Sequence, residues 1–187
     1  MKRIRILAIS GSLRAASSNT AVLRALIALE PLAPLAPENV EITLYGGLGD
    51  LPHFNPDLDG DTVPPPVEDL RARLRASDGL LISCPEYAHG VPGVMKNALD
   101  WLVSTVNGEI VGKPVALVNV SSRSTWAQAS LTETLTVMSA RFLSEACVTL
   151  PLTKTKIEEA GLIADPEISA ALRAALAVFV RAIEEQP

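Results

Sequence analysis

The chain is poor in the residues that build metal centres and disulfide frameworks: among 187 residues it has two cysteines and two histidines. Cys84 and Cys147 form no CxxC pair, and His53 and His89 do not stand at ligand spacing, so neither a disulfide framework nor a metal site is expected. Aromatics make up only 4%. No stretch reaches the roughly 20 apolar residues that a membrane helix requires, so no membrane partner is expected. Residues 1–5 carry three basic side chains, but the apolar run behind them is short and leads straight into Gly11 and Arg14. It reads as a first strand rather than an export signal, and the expected location is cytoplasmic. A basic excess is also missing: 16 Lys and Arg face 21 Asp and Glu, and a net charge of −5 offers nothing to attract nucleic acid.

What is present is the composition of a globular protein, with 48% hydrophobic and 20% charged residues. A chain of this length buries roughly 70% of the surface its unfolded form exposes, enough for one sizeable core. Short β-branched or leucine-rich runs at 4–9, 40–45, 79–84, 115–120 and 146–150 read as strands. Segments 20–32, 67–76, 93–106, 127–143 and 167–183 have helical spacing. Strands apolar on both faces and alternating with helices imply a parallel sheet covered on both sides. The expected fold is therefore α/β: a doubly wound, five-stranded parallel sheet in the flavodoxin-like order 2-1-3-4-5, forming one domain over residues 1–187. Segment 46–66, "GGLGDLPHFNPDLDGDTVPPP", has no periodicity and reads as a surface excursion. In such a fold ligands sit beyond the carboxyl ends of the strands at the switch point, which directs attention to the loops after strands 1, 3 and 4.

The first loop, "ISGSLRAASSN", 9–19, enters a helix, and helix amino termini attract anions. It has neither the G-x-G-x-x-G of a dinucleotide site nor the G-x-x-x-x-G-K-[ST] of a nucleotide triphosphate loop. It offers Gly11 and then the side-chain donors Ser12, Arg14, Ser17, Ser18, Asn19 and Thr20. That set suits a terminal phosphomonoester, with close to two charges and three acceptor oxygens. The serines and Asn19 equally suit simple helix capping. The second loop, "CPEYAHGVPGVMKNALDW", 84–101, is stiffened by two prolines and places Tyr87 and His89 where a flat heterocycle could lie. A Pro-Gly turn ahead of a helix also needs no ligand. The third, "NVSSRSTW", 119–126, brings the hydroxyls of Ser121 and Ser122 to the same sheet edge.

"GSLRAASSNT" followed by "PEYAHGVPGVMKNALDW" resembles the NADPH-dependent FMN reductase family, which includes chromate, quinone and azo-dye reductases, and the resemblance covers most of the chain. It implies an FMN phosphate held at Ser12, Arg14, Ser17, Asn19 and Thr20. It also implies a flavin ring and ribityl chain along Pro85, Glu86, Tyr87, Ala88 and His89, with Ser121 and Ser122 nearby. The activity implied is an FMN-dependent NAD(P)H oxidoreductase using NADPH or NADH as reductant and a small-molecule acceptor: flavin, quinone, azo compound or metal oxyanion. A homodimer or homotetramer is implied as well. Members often carry Asn in place of Ala88 and Gly-Gly-Arg in place of the stretch 123–131, departures that bear on the substrate side.

No catalytic side chain is expected, because flavin performs the hydride transfer. Cys84 ends a buried strand, so a thiol nucleophile paired with His89 is disfavoured. His53 reads as a surface residue, Glu86 as contributing its backbone rather than its charge, and Lys96 with Asp100 as a surface pair. Trp101, Val94 and Leu102 read as core or, by the resemblance, as a subunit contact; Trp126 stays unassigned. The rival function is a flavodoxin-type electron carrier without its own NAD(P)H turnover.

Overall fold

Successive side chains of a strand point to opposite faces, and in β1 (Ile4–Ser10) both sets are mainly apolar, with Ser10 at the end and exposed Arg5 near the start. Ile4, Ile6 and Ala8 enter one layer, and Leu7 and Ile9 the other. The computed structural model describes residues 3–29, 40–103, 108–150, 152 and 158–185. Around β1 stand β2 (Val40–Leu44), β3 (Gly79–Ser83) and β4 (Pro114–Asn119), followed by the two-residue strands β5 (Arg141–Phe142) and β6 (Val148–Thr149). The order is β2-β1-β3-β4-β5, every pair is parallel, and β6 pairs with the end of β4. This is the doubly wound arrangement expected from the alternation of runs.

Helices α1 (Ser18–Leu29), α5 (Glu159–Ala164) and α6 (Pro166–Glu184) cover the first face, where Leu26, Leu172 and Phe179 are buried against Ile6, Leu81 and Ala116. On the other face lie α2 (Pro65–Arg75), α3 (Gly93–Val103) and α4 (Thr125–Val137), packing Leu70, Leu99, Trp101 and Leu131 against Leu80, Ile82 and Leu117. Short α5, with Gly161 in its middle, gives no periodic signal and went unforeseen. Among the described residues no helix is long and apolar enough to cross a membrane.

Several boundaries differ from expectation by two residues or more. The fifth strand, expected at 146–150, is divided between two levels of β4. β5 pairs with Pro114 and Val115, the chain then bulges through a 3-10 turn at Ser144–Ala146, and β6 resumes beside Val118 and Asn119. Ser144 and Glu145 face water while Leu143 and Ala146 stay buried, so the bulge keeps the apolar residues on the sheet. The fourth helix, expected to reach 143, ends at Val137. Ser139 takes a left-handed conformation (φ 59), and the Ala140 amide donates back to the Leu135 carbonyl at 3.0 Å, a Schellman-type stop made without glycine. The first helix starts two residues before expectation, and its expected residues 30–32, with 104–106 of the third, lie outside the described residues.

Segment 46–66 runs over the surface but is bolted to the helices. Leu48 and Leu51 are buried, and Phe54 meets Trp101 edge-on at 5.0 Å. Asn97 accepts from the Phe54 amide at 2.7 Å, while the Asn97 amide and the Trp101 indole both donate to the Pro52 carbonyl. Buried Arg71 donates to Asp59 at 2.9 Å and to the Trp101 carbonyl. Trp101 and Leu102 are therefore core residues of their own chain, not the subunit contact that the resemblance favoured. His53 is exposed, as expected.

Candidate functional site

Where β1 ends, its backbone runs against β3. The Gly11 amide donates to the Ser83 carbonyl at 2.8 Å, and a Cβ on Gly11 would lie 2.5 Å from the Cys84 sulfur. Only glycine allows this approach. The chain then turns into α1. Ser17 is buried and its hydroxyl accepts from the Thr20 amide at 3.3 Å, the bond of an N-cap. Asn19 is buried too, and its side-chain oxygen accepts from the Ser83 hydroxyl at 3.0 Å. Thr20 donates its hydroxyl to Ser10 at 2.8 Å. Of the five residues named for this loop, Ser17 and Asn19 thus shape the loop from within, and Ser12, Arg14 and Thr20 are more accessible.

Two groups of donors remain free. The Ser18 and Asn19 amides, in the first turn of α1, have no acceptor among the described residues, and exposed Arg14 has no carboxylate partner among them. Uncapped amides carry the positive end of the helix dipole. Guanidinium, helix amides and hydroxyls together match the donor set that a phosphomonoester such as the FMN tail requires. A cleft of about 290 Å³ on the same loop also contains Glu158 and Glu159, which make it a poor place for a dianion.

The loop after β3 makes a tight two-residue hairpin. Tyr87 and Gly90 exchange backbone hydrogen bonds of 3.1 and 2.9 Å, and Ala88 and His89 between them have φ of 49 and 59. Left-handed backbone at two consecutive non-glycine residues is strained, by roughly 1–2 kcal/mol each. Pro85 and Glu86 are half-buried at the root of this hairpin, while Tyr87, Ala88 and His89 are exposed at its tip.

The loop after β4 is braced internally by Asn119, which accepts from the Ser121 amide and donates to the Ser121 carbonyl. Ser121 in turn accepts from the Arg123 amide, and Ser122 stays exposed. Two contacts join this loop to the hairpin. Glu86 accepts from the Ala127 amide at 2.8 Å, and the His89 and Trp126 rings stack with centroids 5.4 Å apart. Here the structure corrects an expectation: the Glu86 carboxylate, not only its backbone, is engaged. Sequence reasoning also passed over Ser10 and Ser83. Each is a polar residue closing an apolar run at a strand's carboxyl end, and that was the available signal.

Cys84 is buried, and burial pushes its thiol up to about 12, which disfavours it as a nucleophile. Lys96 and Asp100 pair on the surface of α3. Among the described residues no cluster of His, Cys, Asp or Glu could hold a metal ion.

The first, third and fourth strands thus end in three cross-braced loops, and comparison with known proteins finds this fold in a flavoenzyme. Residues 4–155 match the family described as NADPH-dependent FMN reductase. An NAD(P)H-dependent FMN reductase of Pseudomonas aeruginosa is 33% identical over 87% of this chain and 85% of its own length. A quinone reductase of Escherichia coli is 34% identical over 65% of this chain and 61% of its own. Among solved structures, FerB of Paracoccus denitrificans, a flavoenzyme NAD(P)H:(acceptor) oxidoreductase, superposes with a TM-score of 0.79 at 30% identity, covering 97% of this chain and 98% of that one. An archaeal flavodoxin, at 11% identity and a TM-score of 0.63, shares the fold. With the family match running from β1 through all three loops, the chain belongs to the NADPH-dependent FMN reductase family and is a flavin-dependent oxidoreductase.

Proposed function

We propose that this enzyme oxidises NAD(P)H and reduces a small organic acceptor, a quinone or a free flavin before an azo compound or a metal oxyanion, with both substrates using one open face beside the loops after β3 and β4. When bound, FMN supplies the hydride chemistry between the two. The chain's own residues hold and orient. Arg14, Ser12, Thr20 and the first-turn amides of α1 would take the phosphate, with Ser17 and Asn19 keeping the loop in shape. Pro85, Glu86, Tyr87, Ala88 and His89 would flank the ring and ribityl chain from one side, and Ser121 and Ser122 from the other.

The observation that carries this reading is the unpaired donor set at the head of α1, standing on the same sheet edge as two exposed aromatic side chains. Tyr87 and Trp126 are the only exposed members of the chain's seven aromatic residues, and both lie on these loops. A flat redox ring and flat substrates suit such a surface. The rival, a carrier without NAD(P)H turnover, shares the fold but not the family. Anaerobic mixing of the FMN-loaded protein with NADPH tests the choice: rapid bleaching of the yellow flavin is expected, and a spectrum that stays oxidised would leave the carrier. A single domain of residues 1–187 and assembly into two or four copies complete the proposal, the latter checked by light scattering.

A further inference from the structure

The amino terminus of α4 is capped from outside its own segment. Ser124, at its N-cap position, makes no side-chain capping bond, and the Ala127 amide is taken instead by Glu86, 41 residues earlier in sequence. A carboxylate there satisfies an orphan amide and meets the positive end of the helix dipole. The residue before Ala127 is Trp126, 59% exposed, whose indole lies over His89 at an interplanar angle of 23°. Neither ring is held by burial. His89 stands on the strained hairpin and Trp126 on a helix start, so their alignment depends on whatever fixes the two segments to each other. Among the described residues, the Glu86 bond is the one hydrogen bond that joins those two segments.

We propose that Glu86 is a positioning residue. By capping α4 it holds Trp126 against His89, and the stacked pair forms the side wall that selects flat substrates at the open ring face. The inference rests on the flavin reading of this edge. It adds that the wall is a device of two loops with one carboxylate as its latch. Glu86→Gln keeps a carbonyl acceptor for the Ala127 amide; Glu86→Ala removes it.

Both variants are compared with the parent as FMN-loaded enzymes. In Glu86→Ala, emission from Trp126, isolated as the difference from each protein's Trp126→Phe counterpart, should rise and become more open to acrylamide as the stack with His89 is lost. KM for a benzoquinone acceptor should rise about 2- to 12-fold in Glu86→Ala, the range of a lost aromatic pair, and by distinctly less in Glu86→Gln, which keeps an acceptor for the Ala127 amide. Trp126→Ala, at an exposed position, should raise KM similarly, and the double variant should be no worse than the larger single effect. Effects that multiply in the double variant, or a Glu86→Ala enzyme with parental emission and KM, would overturn the proposal. Should Glu86→Ala fail to fold, hydrogen exchange in the parent decides: the Ala127 amide should exchange more slowly than that of Trp126, and equal exchange sinks the latch. A parent that retains no FMN counts against the flavin reading itself, whereas an FMN-loaded enzyme with unchanged KM in the variant counts against this inference alone.

Discussion

At the scale of single residues, the site is decided by which polar groups the fold has already used. Asn19 and Ser17 look like ligands in the sequence, yet one is committed to Ser83 and the other to the head of α1. Arg14 is not committed to any carboxylate among the described residues, and it is exposed at the loop. Replacing Arg14 with Ala should therefore weaken FMN binding by about 1.5–3 kcal/mol, or roughly 10- to 150-fold, as for one charge-assisted hydrogen bond. Titration of the apoprotein with FMN, followed by flavin fluorescence, reads that change, and an unaltered affinity removes Arg14 from the phosphate end. The chemical types in this loop were legible because glycine, hydroxyls and a lone arginine have few other uses at a strand–helix junction. The sequence did not reveal the direction in which each side chain faces. Ser17, Ser18 and Asn19 are adjacent and chemically similar, and only the turn's backbone separates cap from ligand.

At the scale of elements, β1, β3 and β4 were legible because both of their faces are largely buried, which leaves short, mainly apolar runs between turns. β5 and β6 escaped this logic. Two residues each cannot show a period, and the Ser144–Ala146 bulge shifts the pairing between them. The end of α4 was missed for a different reason: serine holds the left-handed position where glycine would have marked the stop. Segment 46–66 shows how a polar, aperiodic stretch can still be structural. Its Asp59 meets Arg71 with side chains only 10% and 4% exposed, and Arg71 also grips the Trp101 carbonyl. Asp59→Ala should destabilise the fold by about 3 kcal/mol, the lower end for breaking a buried pair, since Arg71 keeps its carbonyl partner. Chemical denaturation checks this, with the midpoint falling and the m-value unchanged. A loss under about 1 kcal/mol would mean the pair behaves as a surface contact.

At the scale of the whole molecule, the three loops do not stand alone: α1 is tied to β3 through Asn19 and Ser83, and β3 to α4 through Glu86. A ligand that grips the first loop by its phosphate and the other two by its ring would stabilise the frame that all the central strands share. Binding to the native state alone stabilises by RT ln(1 + [L]/Kd), about 2.7 kcal/mol at a hundredfold excess of FMN over its Kd. For a chain of this size each kcal/mol moves the melting temperature by roughly 2–4 °C, so FMN removal should lower it by about 5–11 °C. Calorimetry of the apo and reconstituted protein measures the difference, and riboflavin, which lacks the phosphate, separates the two ends of the site. Because the free amides of α1 and Arg14 have nothing to hold in riboflavin, it should restore distinctly less of the shift than FMN at equal concentration. Equal recovery with both ligands would place the binding energy on the ring alone, and the head of α1 would then be an ordinary capped helix rather than a phosphate seat.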